Sequence, residues 1–496
     1  MSFLRPENPP SEALIPILRG NVALSDEGIS QIQDTIFASD QAISHLFALL
    51  TRQCSQLLAK EASQLNERHK SLTQYVSKCR SLFAPIRRLP RDVLESIFAY
   101  VPRSAKNSLD IRSAPWLLAH ICYTWRDIVF TTPLLWANIV ICPPYTRGEV
   151  PMLGRHLQLS EECPLDISFS FPDFVESEDI KIFSLILQHS THWKRMQITF
   201  QYDVYTIMRN LSTVAGKLPL LEEIIFLDTR QIGSYTEMLV AAPSLRRAWL
   251  PSFNGVHGIP LNATLTHFAG TVTNFKDIQH IMGLPALIEC QLILDNGLST
   301  RCPPLRNNHI QRFSTKTPDI LAKLTLPSLV ELRLACKCRN RDSLIAFFIR
   351  SSCTLTSLHI THLGIGDALV LSEYQGKLER LTIDAGWNDI GIIDSYPNLH
   401  QLTIRQMESY RRPHQDEIKE IITHLRNRLG KEGKARKVTS LQISCLVWGL
   451  IDRGFDYVKA LRMNGLDVLE SEGLQVVLYQ EAGTWLNSKL CAHELC

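Results

Sequence analysis

The feature that most limits what this chain can fold into is a hexapeptide that returns. An apolar residue opens each copy, and apolar residues stand again at its fourth and, in most copies, its sixth position. Trp193 opens WKRMQI, Leu221 LEEIIF, Leu245 LRRAWL, Leu265 LTHFAG, Leu287 LIECQL, Ile310 IQRFST, Leu329 LVELRL, Leu355 LTSLHI, Leu378 LERLTI and Leu399 LHQLTI. Val438 opens a further copy, VTSLQI. The spacings between openings are 28, 24, 20, 22, 23, 19, 26, 23, 21 and 39 residues. A short apolar strand of this kind cannot bury itself alone; copies stacked side by side bury one another. A second regularity supports the phase. Pro219, Pro243, Pro285, Pro327 and Pro397 each stand two residues before an opening Leu. A proline there ends the preceding element and presets an extended approach to the strand.

The units resemble degenerate leucine-rich repeats. The resemblance implies an irregular solenoid over residues 141–496 in which each unit adds one strand to a parallel sheet. The consensus Asn or Cys after the strand is missing from most units, so irregular turns are expected. Strand side chains alternate faces. The second, fourth and sixth residues after each opening residue then point to the open concave face, and among them are Arg195, Glu223, Arg247, Trp249, His267, Glu289, Gln291, Arg312, Lys316, Glu331, Arg333, His359, Arg380, Asp384, Gln401 and Arg405. Basic residues outnumber acidic ones. Arg247, Trp249, Arg312, Arg333, His359 and Arg380 are the candidate contacts to a protein client carrying acidic or phosphorylated groups, which arginine forks suit. The alternative is a solvated polar face with no ligand.

The front of the chain has another texture. Residues 1–28 are rich in Pro, Ser and Asn at their start and read as a flexible leader. From Ile29 to Ala84 there is neither Gly nor Pro. Ile29, Ile32, Ile36, Ile43, Leu46, Leu50 and Leu57 recur at helical intervals, and Leu58, Leu65, Leu72 and Cys79 form a second row spaced by seven. The offset between the rows breaks a simple zipper. Residues 29–84 therefore predict long, coiled-coil-like helix, either folded back as a hairpin or paired in a dimer.

Residues 85–140 carry the most specific signal. Leu94, Ile97, Phe98 and Val101 fall on one face of a short helix that Pro90 opens and Pro102 stops. Leu118, Ile121, Cys122, Trp125 and Val129 form the stripe of a second helix. The order Leu89-Pro90-x-Asp92-x-Leu94, Ile97-Phe98, Cys122-x-x-Trp125-Arg126, Pro133-x-Leu135-Trp136 resembles an F-box. The match spans residues 86 to about 136, about a tenth of the chain. The resemblance implies docking on the Skp adaptor of a cullin–RING ubiquitin ligase, with Leu89, Pro90, Leu94, Ile97, Ile121 and Trp125 at or just under the adaptor interface. Helices this small are marginal alone, and a partner groove adds burial they lack.

Residues 405–437 form a basic insert whose Ile418, Ile421, Ile422, Leu425 and Leu429 predict a helix, and LQVVLY with Trp485 predicts a capping strand and tail. The fold expected is therefore multidomain α/β: long N-terminal helix, small helical F-box, then repeat solenoid with a parallel sheet.

Composition narrows the function. The balance of 52 Lys and Arg against 49 Asp and Glu gives +3, too little excess for a nucleic-acid coat. No basic-then-apolar leader and no run of about 18 apolar residues argue for a secreted or membrane-spanning chain. The 13 cysteines are odd in number and irregular in spacing, as expected of reduced core thiols in cytoplasm or nucleus. Cys336-x-Cys338 has no second pair, His359 and His362 are a lone pair, and Gly364-Ile-Gly366 lacks the rest of a phosphate loop. No cofactor, metal or catalytic constellation is expected. The expected function is substrate-recognition adaptor of an SCF-type ligase: the F-box holds the Skp adaptor, and through it cullin, and the repeats hold the client. The alternatives are a Skp-binding scaffold outside a ligase and an enzyme domain of unfamiliar type at 141–496.

Overall fold

The computed structural model describes residues 26–482 apart from 54–58, 82, 102–106, 145–147, 173–174, 201–208, 229–238, 240–241, 251–263, 273, 295–302, 335–340, 362–370, 373–376, 385–395, 397, 407–418, 420–421, 425, 427–439, 448–462, 464 and 472–474. The leader to residue 25, most of the 405–437 insert, Cys336, Cys338, His362, Gly364, Gly366 and Trp485 lie outside the described residues. By contacts the chain divides into two units, residues 1–172 with 176–192, and 173–175 with 193–496. The expected start of the repeat region at 141 thus differs from this division, which keeps residues 141–172 and 176–192 with the helical front.

In the first unit, α1 (Asp26–Gln53) and α2 (Ala59–Ser81) form an antiparallel hairpin. Ile32 and Ile36 pack with Tyr75, Cys79 and Phe83, while Phe47 meets His69 nearer the turn. Arg80 pairs with Asp40 at 2.6 Å across the seam. Of the two arrangements open from the sequence, the fold-back fills the seam within one chain.

Next come α3 (Arg91–Tyr100), α4 (Trp116–Ala119) and α5 (Tyr123–Phe130). The single helix expected through Leu118 and Val129 is two. Cys122 takes extended backbone angles (φ −155°, ψ 172°) and caps α5 at its N-terminus. The core of this module centres on Trp136, which is fully buried and donates from Nε1 to the Val129 carbonyl at 2.8 Å. Trp116 meets its ring edge-on and Phe130 stacks on it. Leu94, Phe98, Leu118, Ile128, Val129 and Leu135 surround it. Arg91 joins α3 to α5 through Asp127 at 2.9 Å and the Thr131 hydroxyl.

The core is completed by residues beyond 140. β1 (Asn138–Ile141), α6 (Glu149–Leu159) and β2 (Leu165–Ser170) make a parallel strand–helix–strand unit. Leu159 of α6 joins the Trp136 cluster, and buried His156 has Nε2 at 3.0 Å from the Trp136 carbonyl. Ser108 donates its N–H to the Val140 carbonyl and accepts the Val140 N–H on its hydroxyl, which covers part of the outer edge of β1. α7 (Ser177–Gln188) closes the unit behind a capping box of Glu176 and Asp179. Burial pushes the Asp179 carboxyl above the usual carboxylate range, against the Glu176 N–H that steadies its charged form.

The second unit is built on a long, all-parallel sheet of 12 strands that does not close into a barrel. The strands are β3 (Trp193–Phe200), β4 (Glu223–Asp228), β5 (Arg247–Leu250), β6 (His267–Val272), β7 (Glu289–Leu294), β9 (Arg312–Thr315), β11 (Glu331–Leu334), β12 (Ser357–Thr361), β13 (Arg380–Asp384), β14 (Gln401–Gln406), β15 (Ser440–Val447) and β16 (Gln475–Ala482). They are neighbours in chain order. Two short strands, β8 (Leu305–Arg306) and β10 (Leu324–Thr325), pair with each other in the connections. Helices α8 (Phe275–Met282), α9 (Arg341–Ser351) and α10 (Leu466–Ser471) lie in this unit.

The hexapeptide explains the stacking. Its opening residues at 221, 245, 265, 287, 310, 329, 355, 378 and 399 are all buried, as are Ile224, Ala248, Phe268, Cys290, Phe313, Leu332, Leu358, Leu381 and Leu402 at its fourth position. Successive units also repeat one backbone contact. The carbonyl of the second residue accepts two N–H groups from the next unit: Glu222 from Arg246 and Arg247, Arg246 from Thr266 and His267, Thr266 from Ile288 and Glu289, Ile288 from Gln311 and Arg312. This bond holds every unit in the same register. Pro243 and Pro327 occupy the second position of tight turns closed by Leu245 N–H to Ala242 and Leu329 N–H to Leu326. Their fixed φ suits that position, so they shape the turn rather than simply ending a helix. In β6 the sixth position is Gly270. A Cβ there would stand 2.6 Å from Phe268 Cζ, because that ring lies over its own strand neighbour.

Candidate functional site

Two surfaces gather the residues singled out by the sequence. The first lies on α3–α5. Leu94, expected at or just under the surface, lies under it: it is 1% exposed and belongs to the module's own core. Trp125 is half-buried, with its ring 4.7 Å from that of Phe98. Leu89 is half-buried against the same core, and Pro90 is exposed at the N-cap of α3. Ile97 and Ile121 do face solvent, at 37% and 54% exposure.

The face assigned from spacing was therefore drawn too wide. Leu94, Phe98 and Val101 point to the core, whereas Val93, Ile97 and Tyr100, at i, i+4 and i+7, form the outer stripe. That second stripe was visible as a pattern, but only packing decides which of two apolar stripes faces inward. Leu117, Tyr123 and Leu134 are also large, apolar and exposed, and were not singled out.

The second surface is the open face of the 12-stranded sheet. Alternation of burial holds as expected in β5, β7, β9 and β11. Arg195 and Arg380 are exposed there, and Trp249, Gln291, Arg333, His359 and Gln401 are half-buried. Lys316 falls beyond the end of β9, while Asp384 and Arg405 keep their register positions in β13 and β14.

The arginines expected to meet an acidic client are occupied. Arg247 Nε lies 3.0 Å from Glu223, Arg312 Nε 2.6 Å from Glu289, and Arg333 Nε 2.7 Å from Glu331. His267 stands between the first two pairs, with Nε2 3.8 Å from Glu289 and 3.5 Å from Arg312 Nη2. Burial lowers its pKa below the ordinary histidine value; Glu289 and Glu223 act to raise it and Arg312 and Arg247 to lower it. Arg380 is the exception, set between Ser357 and Gln401. A shallow hollow lies among Glu289, Gln291, Arg312, Ser314, Glu331 and Arg333 over Cys290 and Phe313. Ile225 and Leu227 of β4 also reach the open face, beside Trp249, and were missed because the unit reads as continuously apolar there.

Neither surface assembles a nucleophile, base and acid, and the described residues hold no group of three or more His, Cys, Asp or Glu arranged for a metal ion. Among them, too, no helix is long and apolar enough to cross a membrane. Burial raises the thiol of Cys353 to about 11 and that of Cys290 further still, which keeps both protonated at neutral pH. Compared with models of known protein families and with curated proteins, the sequence matches none.

Proposed function

We propose that this chain is the substrate-recognition adaptor of an SCF-type cullin–RING ubiquitin ligase, working in the cytoplasm or nucleus. The helical module docks on the Skp adaptor as an F-box, and the repeat sheet, a degenerate leucine-rich-repeat array, binds a protein client. The observation that carries the reading is the module's exposed apolar surface: the α3 stripe of Val93, Ile97 and Tyr100, and Ile121 in the turn before α5. Ile97 and Ile121 stay exposed although Leu94, Phe98, Val129 and Trp136 already close a core beneath them. A helix presenting such a stripe suits a hydrophobic groove.

The chain supplies no reacting group in this mechanism. Holding client and ubiquitin-carrying enzyme on one scaffold raises the effective concentration of the client's lysines, and that proximity accelerates transfer. Co-expression with the Skp adaptor and cullin tests the proposal. The expected result is a complex of all three. Recovery of the adaptor without cullin would make the chain a scaffold outside a ligase, and recovery of neither would end the F-box reading.

A further inference from the structure

The open face of the sheet carries a pattern of sign, not an excess of one sign. Along the backbone register from β3 to β11 the first outward position reads Arg195, Glu223, Arg247, His267, Glu289, Arg312, Glu331. Neighbouring strands are about 4.8 Å apart. Cation and anion therefore alternate at that interval, interrupted once by a histidine whose burial favours the neutral form.

This pattern selects against a phosphorylated client. A phosphoryl group brought to Arg312 meets Glu289 and Glu331, one strand away on either side. Glu289 also holds the Nε of that arginine already. The pattern favours a partner whose charges follow the complementary order at the same interval, with the step over His267 left neutral. An extended segment laid across the strands presents same-side residues about 6.7 Å apart, out of step with the ladder. An α-helix presents one residue per turn about every 5.4 Å. Over the four steps from Arg247 to Glu331 the accumulated offset is about 2.4 Å, within the reach of Glu, Lys and Arg side chains.

The adjoining row adds an anchor. Ile225, Trp249 and Ala269 are register partners, and Leu227 lies two residues beyond Ile225. Ala269 leaves low ground beside the half-buried indole of Trp249. An aromatic shelf of this kind takes one large apolar side chain at the centre of an interface.

We infer that the face binds a single amphipathic α-helix of the client, of mixed charge, laid across β4 to β11. Its acids lie over Arg247 and Arg312, its bases over Glu289 and Glu331, and one large apolar residue rests on the Ile225–Trp249 shelf. The inference rests on the sheet being the client-binding half of the proposed adaptor.

The test uses three synthetic peptides of about 20 residues. Two are stapled helices of identical composition, one with acids and bases in the matching order and one with them exchanged. The third is a phosphoserine peptide. Binding to the full chain, purified with the Skp adaptor, is read by fluorescence anisotropy. The expected result is at least a tenfold preference for the matching helix. Trp249→Ala should weaken that helix by about tenfold. Glu289→Arg with Arg312→Glu keeps both net charge and the internal ion pair, and should cancel the preference, because two of the four charged contacts then favour each helix. Should that pair disturb folding, Glu289→Gln with Arg312→Gln should weaken the preference, because only the contacts at Arg247 and Glu331 remain. Equal affinity of the unaltered chain for the two helices, tighter binding of the phosphopeptide, or no binding of either helix overturns the inference. Adaptor retention on the same sample separates the two readings: peptide discrimination without adaptor retention would overturn the F-box reading alone, and the converse this inference alone.

Discussion

Replacing Ile97 and Ile121 together by Ser tests the outer stripe of the helical module. Full burial of an isoleucine side chain is worth about 1.5–3 kcal/mol. Ile97 is 37% exposed and Ile121 54% exposed, and only those fractions remain for a partner to cover. Covering them is worth about 0.6–1.1 and about 0.8–1.6 kcal/mol respectively. The pair then contributes about 1.4–2.7 kcal/mol to docking, about 10- to 100-fold in Kd. The covered remainders belong to the fold, so the variant also loses about 1.6–3.3 kcal/mol of stability. A domain with an ordinary margin of about 5–15 kcal/mol stays folded through that loss. Leu94→Ala is the contrasting variant. Its side chain is sealed in the core, so it should lose about 2–5 kcal/mol of stability. Affinity for the purified Skp adaptor is measured by calorimetry on folded protein, with thermal melts alongside. An affinity within threefold of wild type for the folded double variant would refute the assignment of the stripe. So would a loss of stability well above about 3.3 kcal/mol, since both isoleucines would then be core residues.

Three further outcomes follow from the geometry. Arg350 donates to the Leu321 and Leu324 carbonyls at 2.7 Å, so Arg350→Met should lower the stability of the repeat unit by about 2 kcal/mol in denaturant titration, and Arg350→Lys by less. His189 and His267 have lowered pKa values, first through burial; between their folded values and the ordinary 6.5 the unfolded chain binds more protons, so stability falls as pH drops through that window. His189→Gln with His267→Gln should flatten the melting temperature across it, and an unchanged slope would refute that origin. Thiol labelling at neutral pH, mapped by mass spectrometry, should modify Cys142 and Cys163 well before Cys290 and Cys353, because the latter two are buried and held protonated.

The repeat was legible in the sequence because its cause is local and periodic. A hexapeptide with buried first and fourth positions must alternate faces, and its outward residues follow by counting. Thus Arg247, Trp249, Arg312 and Arg333 were found correctly as residues of one face. What they meet was not legible. The pairing of Arg312 with Glu289 depends on residues 23 apart falling into register, which the shared backbone bond between units decides.

The helical front shows the same division. Composition and spacing pointed to the helices now seen at Asp26–Gln53 and Ala59–Ser81, and to the apolar cluster between Leu89 and Trp136. Spacing alone left hairpin and dimer open, and the fold shows Ile32 packed against Cys79 within one chain. Likewise two stripes on α3 were equally apolar. Closure of the core around Trp136, helped by Leu159 and His156 from outside the module, turned Leu94 inward and left Ile97 out. Hydrophobicity is a property each residue carries along the chain. Which apolar groups are covered, and which charges neutralise one another, depends on neighbours that only the folded chain brings within reach.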